Sequence, residues 1–214
     1  MMSRVHITAI GIHDPQQART VSLTAAVLMG AILFSTGAFS TWTGMVVVGL
    51  LMAVVEEDLR RWRIPNRITF AGFAAALLNA TWMTGFDGLL SALAGAGLAL
   101  AVLAIPFTMG WLGAGDAKAV MALGAFFGVE ALPGLLWWIT TVGGALALST
   151  LIADGQGLEL LCRWRRSLEL SLLTRKSWYI GPPAGSTAAA SLPFGVAIAL
   201  GVAADQTWGT TWIS

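Results

Sequence analysis

The chain has 214 residues, 57% of them hydrophobic and 11% charged, with a mean hydropathy of +0.77 and a formal net charge of +1. That balance excludes an ordinary soluble globule, and apolar segments recurring toward the C-terminus exclude a secretory signal followed by a soluble body. A net charge so near zero says little about partners, so the placement of the charges carries the argument.

Residues 1–19 are polar and read as a cytoplasmic arm, in which His6 and His13 have no neighbouring ligands. Runs of the length needed to cross a bilayer, about 17–25 residues, follow at 20–40, 42–57, 66–85, 88–111, 116–131, 133–153 and 187–209. The pattern predicts an all-α, polytopic transmembrane helical bundle of about seven spans, one additional N-terminal helix over 20–41 and six in a body over 42–214. Between the fifth and sixth spans, "GVEALPG" (128–134) is expected to be the turn, because Gly and Pro break helices and Glu130 marks contact with water. One long kinked span with an interfacial piece is the alternative there.

Lys and Arg are retained on the cytoplasmic side of a membrane protein. With the N-terminus inside, Arg4 and Arg19 precede the first span. Arg60, Arg61, Arg63 and Arg67 fall between the second and third, Lys118 just after the fourth, and Arg163, Arg165, Arg166, Arg175 and Lys176 between the sixth and seventh; these are all 12 basic residues. An even number of spans would break that pattern at one end. The same topology puts Asp58 and Asp116 at one depth, near the cytoplasmic face, and Asp87, Glu130 and Asp205 on the far side.

Asp116 stands in "WLGAGDAKAV" (111–120), among apolar residues. Gly113 and Gly115 remove side chains just before the carboxylate, so a neighbouring helix or an extended peptide can approach closely. The bland reading is that the glycines only pack helices and that Asp116 caps a helix beginning at Ala117. Asp58 ends the second span in "VVEEDLRRWRIPNRIT" (54–69), where an acid among Glu56, Glu57 and arginines is ordinarily part of a solvated membrane-edge cluster. Pro65 disfavours helix at Ile64 and can open the next one, which sets Asp58 just before a defined turn.

Taken together, Asp58 with Ile64, Pro65 and Asn66, and then Gly113, Gly115, Asp116 and Lys118, resemble the prepilin peptidase family of GxGD-type aspartic proteases. "SLPFGVAIALG" (191–201) is similar to the family's P-[YF]-G stretch opening its last helix. The resemblance covers about residues 42–209. It implies a membrane-embedded endopeptidase of the bacterial inner membrane that removes the short basic leader of prepilins at the cytoplasmic face. Asp58 and Asp116 would be its catalytic pair, and Gly113, Gly115, Ile64, Pro65, Asn66 and Lys118 would shape the site. Two carboxyl groups held close share a proton, so one can activate water while the other polarises the scissile carbonyl. No metal or other cofactor is implied, and the expected partners are the prepilin substrate and membrane lipid, not nucleic acid.

Bifunctional members of the family that also methylate the new N-terminus carry paired Cys-x-x-Cys motifs with zinc-site spacing. Here Cys162 stands alone, which resembles the compact, peptidase-only branch associated with Flp-type tight-adherence pili. Glu56 and Glu57 depart from the small apolar residues usual before the first Asp and are candidates to perturb or replace it. The additional first span and the cytoplasmic loop 155–187 also depart from the compact pattern. In that loop Leu161, Trp164, Leu168 and Leu172 recur at helical spacing among Arg163, Arg165, Arg166 and Glu169, as in an amphipathic helix at the headgroup layer. Two other classes stay open: a proton-coupled transporter using the same acids as protonation sites, and a non-enzymatic membrane subunit in which they are structural.

Overall fold

In the computed structural model, residues 42–110, 112–153 and 194–208 are described continuously, together with isolated helical positions within 24–35 and 162–173. Four helices are defined: α1 (Trp42–Arg61), α2 (Asn66–Thr108), α3 (Ala114–Ala153) and α4 (Phe194–Trp208). No strand occurs among the described residues. Within them, 66–108 and 114–149 are long and apolar enough to cross a membrane. A straight helix as long as α2, 43 residues, would run about 65 Å, roughly twice the hydrocarbon thickness of a bilayer.

It does not run straight. Gly85 breaks α2 with φ 67° and ψ −141°, and Gly128 breaks α3 with φ 76° and ψ −176°. A Cβ placed on Gly88 would meet the carbonyl oxygen of Ala80, eight residues earlier in the chain. A continuous helix would separate those positions by about 12 Å, so the chain doubles back at Gly85. The buried cluster of Ala76, Ala92, Ala96, Met121 and Ala125 requires the same folding back, since it brings both halves of α2 onto one short stretch of α3.

Six helical segments therefore stand where the last six spans are expected. The first expected span and most of the loop 155–187, including Leu161, Trp164, Leu168 and Leu172, lie outside the described residues. One boundary is corrected. The break between the fifth and sixth spans is at Gly128 alone, and Pro133 lies inside the helix that follows rather than in a turn. Its missing N–H leaves the Val129 carbonyl without its i+4 donor, and the helix continues past that single lost bond.

The chain divides into two compact units, residues 1–143 with 193–214, and residues 144–192. In the first, α1 packs against α2 and α4. Its inward face is a stripe of Val47, Val48, Leu51, Val54 and Val55, spaced for one side of a helix. Leu123, Leu135, Ile139, Ile198 and Val202 share that core. Between α2 and α3 the packing is backbone to backbone: a Cβ on Gly124 would come within 2.8 Å of the Gly95 carbonyl oxygen. In a membrane, where lipid is as apolar as leucine, such close approach is what holds helices together. In the second unit Arg165 Nε donates to Glu169 Oε1 at 2.7 Å, one helical turn apart.

Candidate functional site

Asp58 continues the buried stripe of α1 one turn beyond Val54 and Val55, and helical periodicity aims it inward. It is only 5% exposed, so it is not part of a solvated edge cluster. Glu56 and Glu57 lie off that stripe, on the side of the arginines. Arg60 pairs with both, at 3.1 Å each, and Arg61 Nε lies 2.9 Å from Glu57 Oε2. This last approach is an ion pair without hydrogen-bond alignment, because Oε2 is buried with no hydrogen-bond partner. Each glutamate thus has a cation of its own within one turn.

α1 closes just beyond Asp58. Its carbonyl oxygen accepts from the Trp62 N–H at 2.7 Å, and Trp62 itself takes a left-handed conformation, φ 53°. Tryptophan at positive φ costs about 1 kcal/mol or more, and the reversal lets the chain enter α2 within a few residues. Pro65 is extended (φ −72°, ψ 143°) and precedes the first residue of α2, Asn66, whose carbonyl oxygen accepts from the buried Thr69 hydroxyl.

The second acid comes from the start of α3. α2 ends at Thr108, and Gly110 just beyond its cap has φ 74° and donates its N–H to the Phe107 carbonyl, the αL stop usual after a helix. Helix resumes at Ala114, and the Ala117 N–H to Gly113 carbonyl bond, 3.1 Å, makes Gly113 the N-cap. Asp116 is therefore the third residue of the helix rather than a cap before Ala117. Its carboxylate reaches back to accept the Gly113 N–H, as the acidic member of a capping box does. Capping accounts for its local geometry; it does not account for its neighbour, since Asp58 and Asp116 lie close enough to interact electrostatically.

The residues around the acids also come together. Lys118 Nζ donates to Asn66 Oδ1 at 2.9 Å and lies 5.7 Å from the centre of the Phe70 ring, which ties the first turn of α2 to the first turn of α3. A Cβ on Gly115 would press on Ile64, 3.1 Å from both its Cβ and its carbonyl oxygen. Gly115 thus makes room for the α1–α2 loop, and Ile64 is buried against it. Asp58, Ile64, Asn66, Gly113, Gly115, Asp116 and Lys118 are gathered at one end of the first unit, with Pro65 in the same loop.

One member of this assembly has no assigned role in the sequence reading. The Gly195 N–H, in the first turn of α4, donates to Asp58 Oδ2 at 2.7 Å, and both residues are buried. The available signal was the P-F-G stretch at the start of the last span, which carries no hint of its partner. No group of three or more His, Cys, Asp or Glu placed to hold a metal occurs among the described residues. The chemistry within reach of the arrangement is that of two carboxyl groups, a backbone donor and a lysine.

Residues 45–148 match the family described as type IV leader peptidase. Two curated proteins, each named prepilin leader peptidase/N-methyltransferase, are similar to the chain. That of Myxococcus xanthus (strain DK1622) is 30% identical over 141 residues, 60% of this chain and 42% of the relative. That of Bacillus subtilis (strain 168) is 35% identical over 138 residues, 59% of this chain and 55% of the relative. The chain thus spans about half the length of these curated relatives. No solved structure matches it.

Proposed function

We propose, from the match of residues 45–148 to the type IV leader peptidase family and the similarity to two prepilin leader peptidases, that the chain is a membrane-embedded aspartic endopeptidase that cleaves the leader from Flp-like prepilins at the cytoplasmic face of the inner membrane. The observation that carries the reading is the meeting of Asp58 and Asp116, 58 residues apart in sequence, at one end of a helical unit with Asn66 and Lys118 beside them. A purely structural or solvated role would not require two acids on different helices to lie within electrostatic reach of one another.

The step follows from the pair's chemistry. One carboxylate takes a proton from water as the water oxygen bonds to the scissile carbonyl carbon. The other, protonated, hydrogen-bonds the carbonyl oxygen. Collapse of the tetrahedral species breaks the C–N bond, and a carboxyl proton goes to the departing amine. Neither covalent enzyme intermediate nor redox partner is involved. The single cysteine, Cys162, is insufficient for the paired Cys-x-x-Cys zinc site of bifunctional relatives, which supports a peptidase without methyl transfer.

The test is cleavage of a co-expressed Flp-type prepilin by unmodified protein, Asp58→Asn and Asp116→Asn at matched membrane levels. Loss of cleavage in both variants, by about a thousandfold or more given that such groups act as a unit, is the expected result. Full cleavage by either variant removes that aspartate from the mechanism.

A further inference from the structure

Asp58 is the one acid of the pair with a donor from a distant part of the chain. Its Oδ2 takes the Gly195 N–H at 2.7 Å across 137 residues of sequence. The contact is tight where that glycine meets α1: a Cβ on Gly195 would come 2.9 Å from Asp58 Oδ2, 3.0 Å from Asp58 Cβ and 3.1 Å from Val54 Cγ1. Contacts below 3.0 Å are not tolerated without movement, and the neighbours are not free ends. Asp58 is itself the bonded partner, and Val54 is 1% exposed within the core. Positive φ is not the reason for glycine here, since Gly195 is absent from the left-handed positions. Close approach is.

Other glycines of the same unit set the contrast. Gly201, two turns further along α4, lies against the backbone and side chain of Ile139, and a Cβ there would meet Ile139 Cα at 2.6 Å. Its role is helix packing, nearly two turns away from the amide that bonds Asp58. Gly97 in α2 has nothing within 4 Å of an added Cβ.

We propose that Gly195 is a positioning residue of the aspartate pair: its amide clamps Oδ2 of Asp58, fixing the carboxyl plane toward Asp116, and only glycine brings that amide close enough. The clamp leaves Oδ1 of Asp58 for water or substrate and makes α4 part of the active site, although none of its side chains reacts. The inference rests on the peptidase reading. A carboxylate misplaced by an ångström can cost about a hundredfold in turnover without weakening substrate binding, which separates positioning from packing.

The experiment uses the full chain, solubilised in detergent with an Flp-type prepilin as substrate, and compares Gly195→Ala, Gly201→Ala and Gly97→Ala. Capture of a prepilin whose junction resists cleavage reports folded, binding-competent protein independently of turnover. Gly195→Ala is expected to lower kcat by about a hundredfold with KM and capture within about threefold of the unmodified protein. Gly201→Ala is expected to reduce the amount of competent protein while leaving kcat per captured prepilin unchanged, and Gly97→Ala to change neither. Normal kcat in Gly195→Ala overturns the clamp, and so does a parallel fall in capture and cleavage following the Gly201 pattern. If Asp58→Asn still cleaves, the peptidase reading itself has failed; if Asp58→Asn is inactive and Gly195→Ala is normal, only the clamp has.

Discussion

Glu56, Glu57 and Asp58 are three consecutive acids with different surroundings, and a helix separates them by turning each residue about 100° from the last. Asp58 continues the stripe of Val54 and Val55, while the two glutamates meet Arg60 and Arg61. Partly exposed ion pairs of this kind contribute about 0–1 kcal/mol. Glu56→Gln and Glu57→Gln are therefore expected to cleave prepilin within about fivefold of the unmodified rate, a factor equivalent to that energy. A loss as deep as that of Asp58→Asn, measured side by side, would instead place a glutamate in the mechanism. Lys118 and Asn66 are coupled by their hydrogen bond. In a double-mutant cycle of Lys118→Met and Asn66→Ala, followed by thermal unfolding in detergent, the two losses should fall short of additivity by about 1 kcal/mol. Strict additivity would mean that the bond does not join α2 to α3 in the membrane. Both stand beside recognisable spacings in the sequence, which is why they are expected to shape the site. Gly195 is not legible in this way, because a glycine's backbone amide leaves no mark in a sequence and its partner is in another helix.

At the scale of elements, two glycines do the work that loops do in soluble proteins. Gly85 and Gly128 take positive φ with ψ far from helical, a region essentially reserved for glycine. Gly85 also has nothing within 4 Å of an added Cβ, so a methyl there meets only its own backbone. Gly85→Ala is expected to cost about 1–3 kcal/mol, read as a lower unfolding temperature. Gly97→Ala, equally roomy but within a helical stretch, should be neutral or stabilising by up to about 1 kcal/mol. Equal effects from the two would mean that Gly85 is not held in the strained conformation. Composition and span length announced both breaks to within a few residues. They miss the detail at Pro133, where one lost ladder bond does not end the helix, and at Ala114, since a glycine N-cap can start a helix before the residue that looks like the cap. The bland alternative, in which Asp116 caps a helix beginning at Ala117, gives way to a carboxylate that reaches back across its own first turn.

For the molecule as a whole, the distribution of arginine and lysine and the folding back at Gly85 together make a topological statement that chemistry can check. In a Cys162→Ser background, a cysteine at Asp87 should react with an impermeant maleimide on intact inner-membrane vesicles of native orientation, and one at Arg63 only after the bilayer is opened. The converse pattern would invert the chain and move the acids to the far face. Most of the architecture was accessible from hydropathy because bilayer thickness dictates helix length. Tertiary meetings such as Ala76 with Ala92 and Ala96, or Gly95 with Gly124, were not, since small residues look alike in a chain where Ala and Gly are abundant.

The bond between Asp58 and Gly195 also sets an order in time. At about 5–20 residues per second, a ribosome needs on the order of ten seconds to go from one residue to the other. From the synthesis of Asp116 until that of Gly195, the nascent chain has both acids and no amide to orient the first. Completion of the Asp58–Gly195 contact then waits on the arrival of α4. A fragment ending near residue 160 should accordingly be inert and should recover cleavage when the remaining residues are supplied as a second polypeptide.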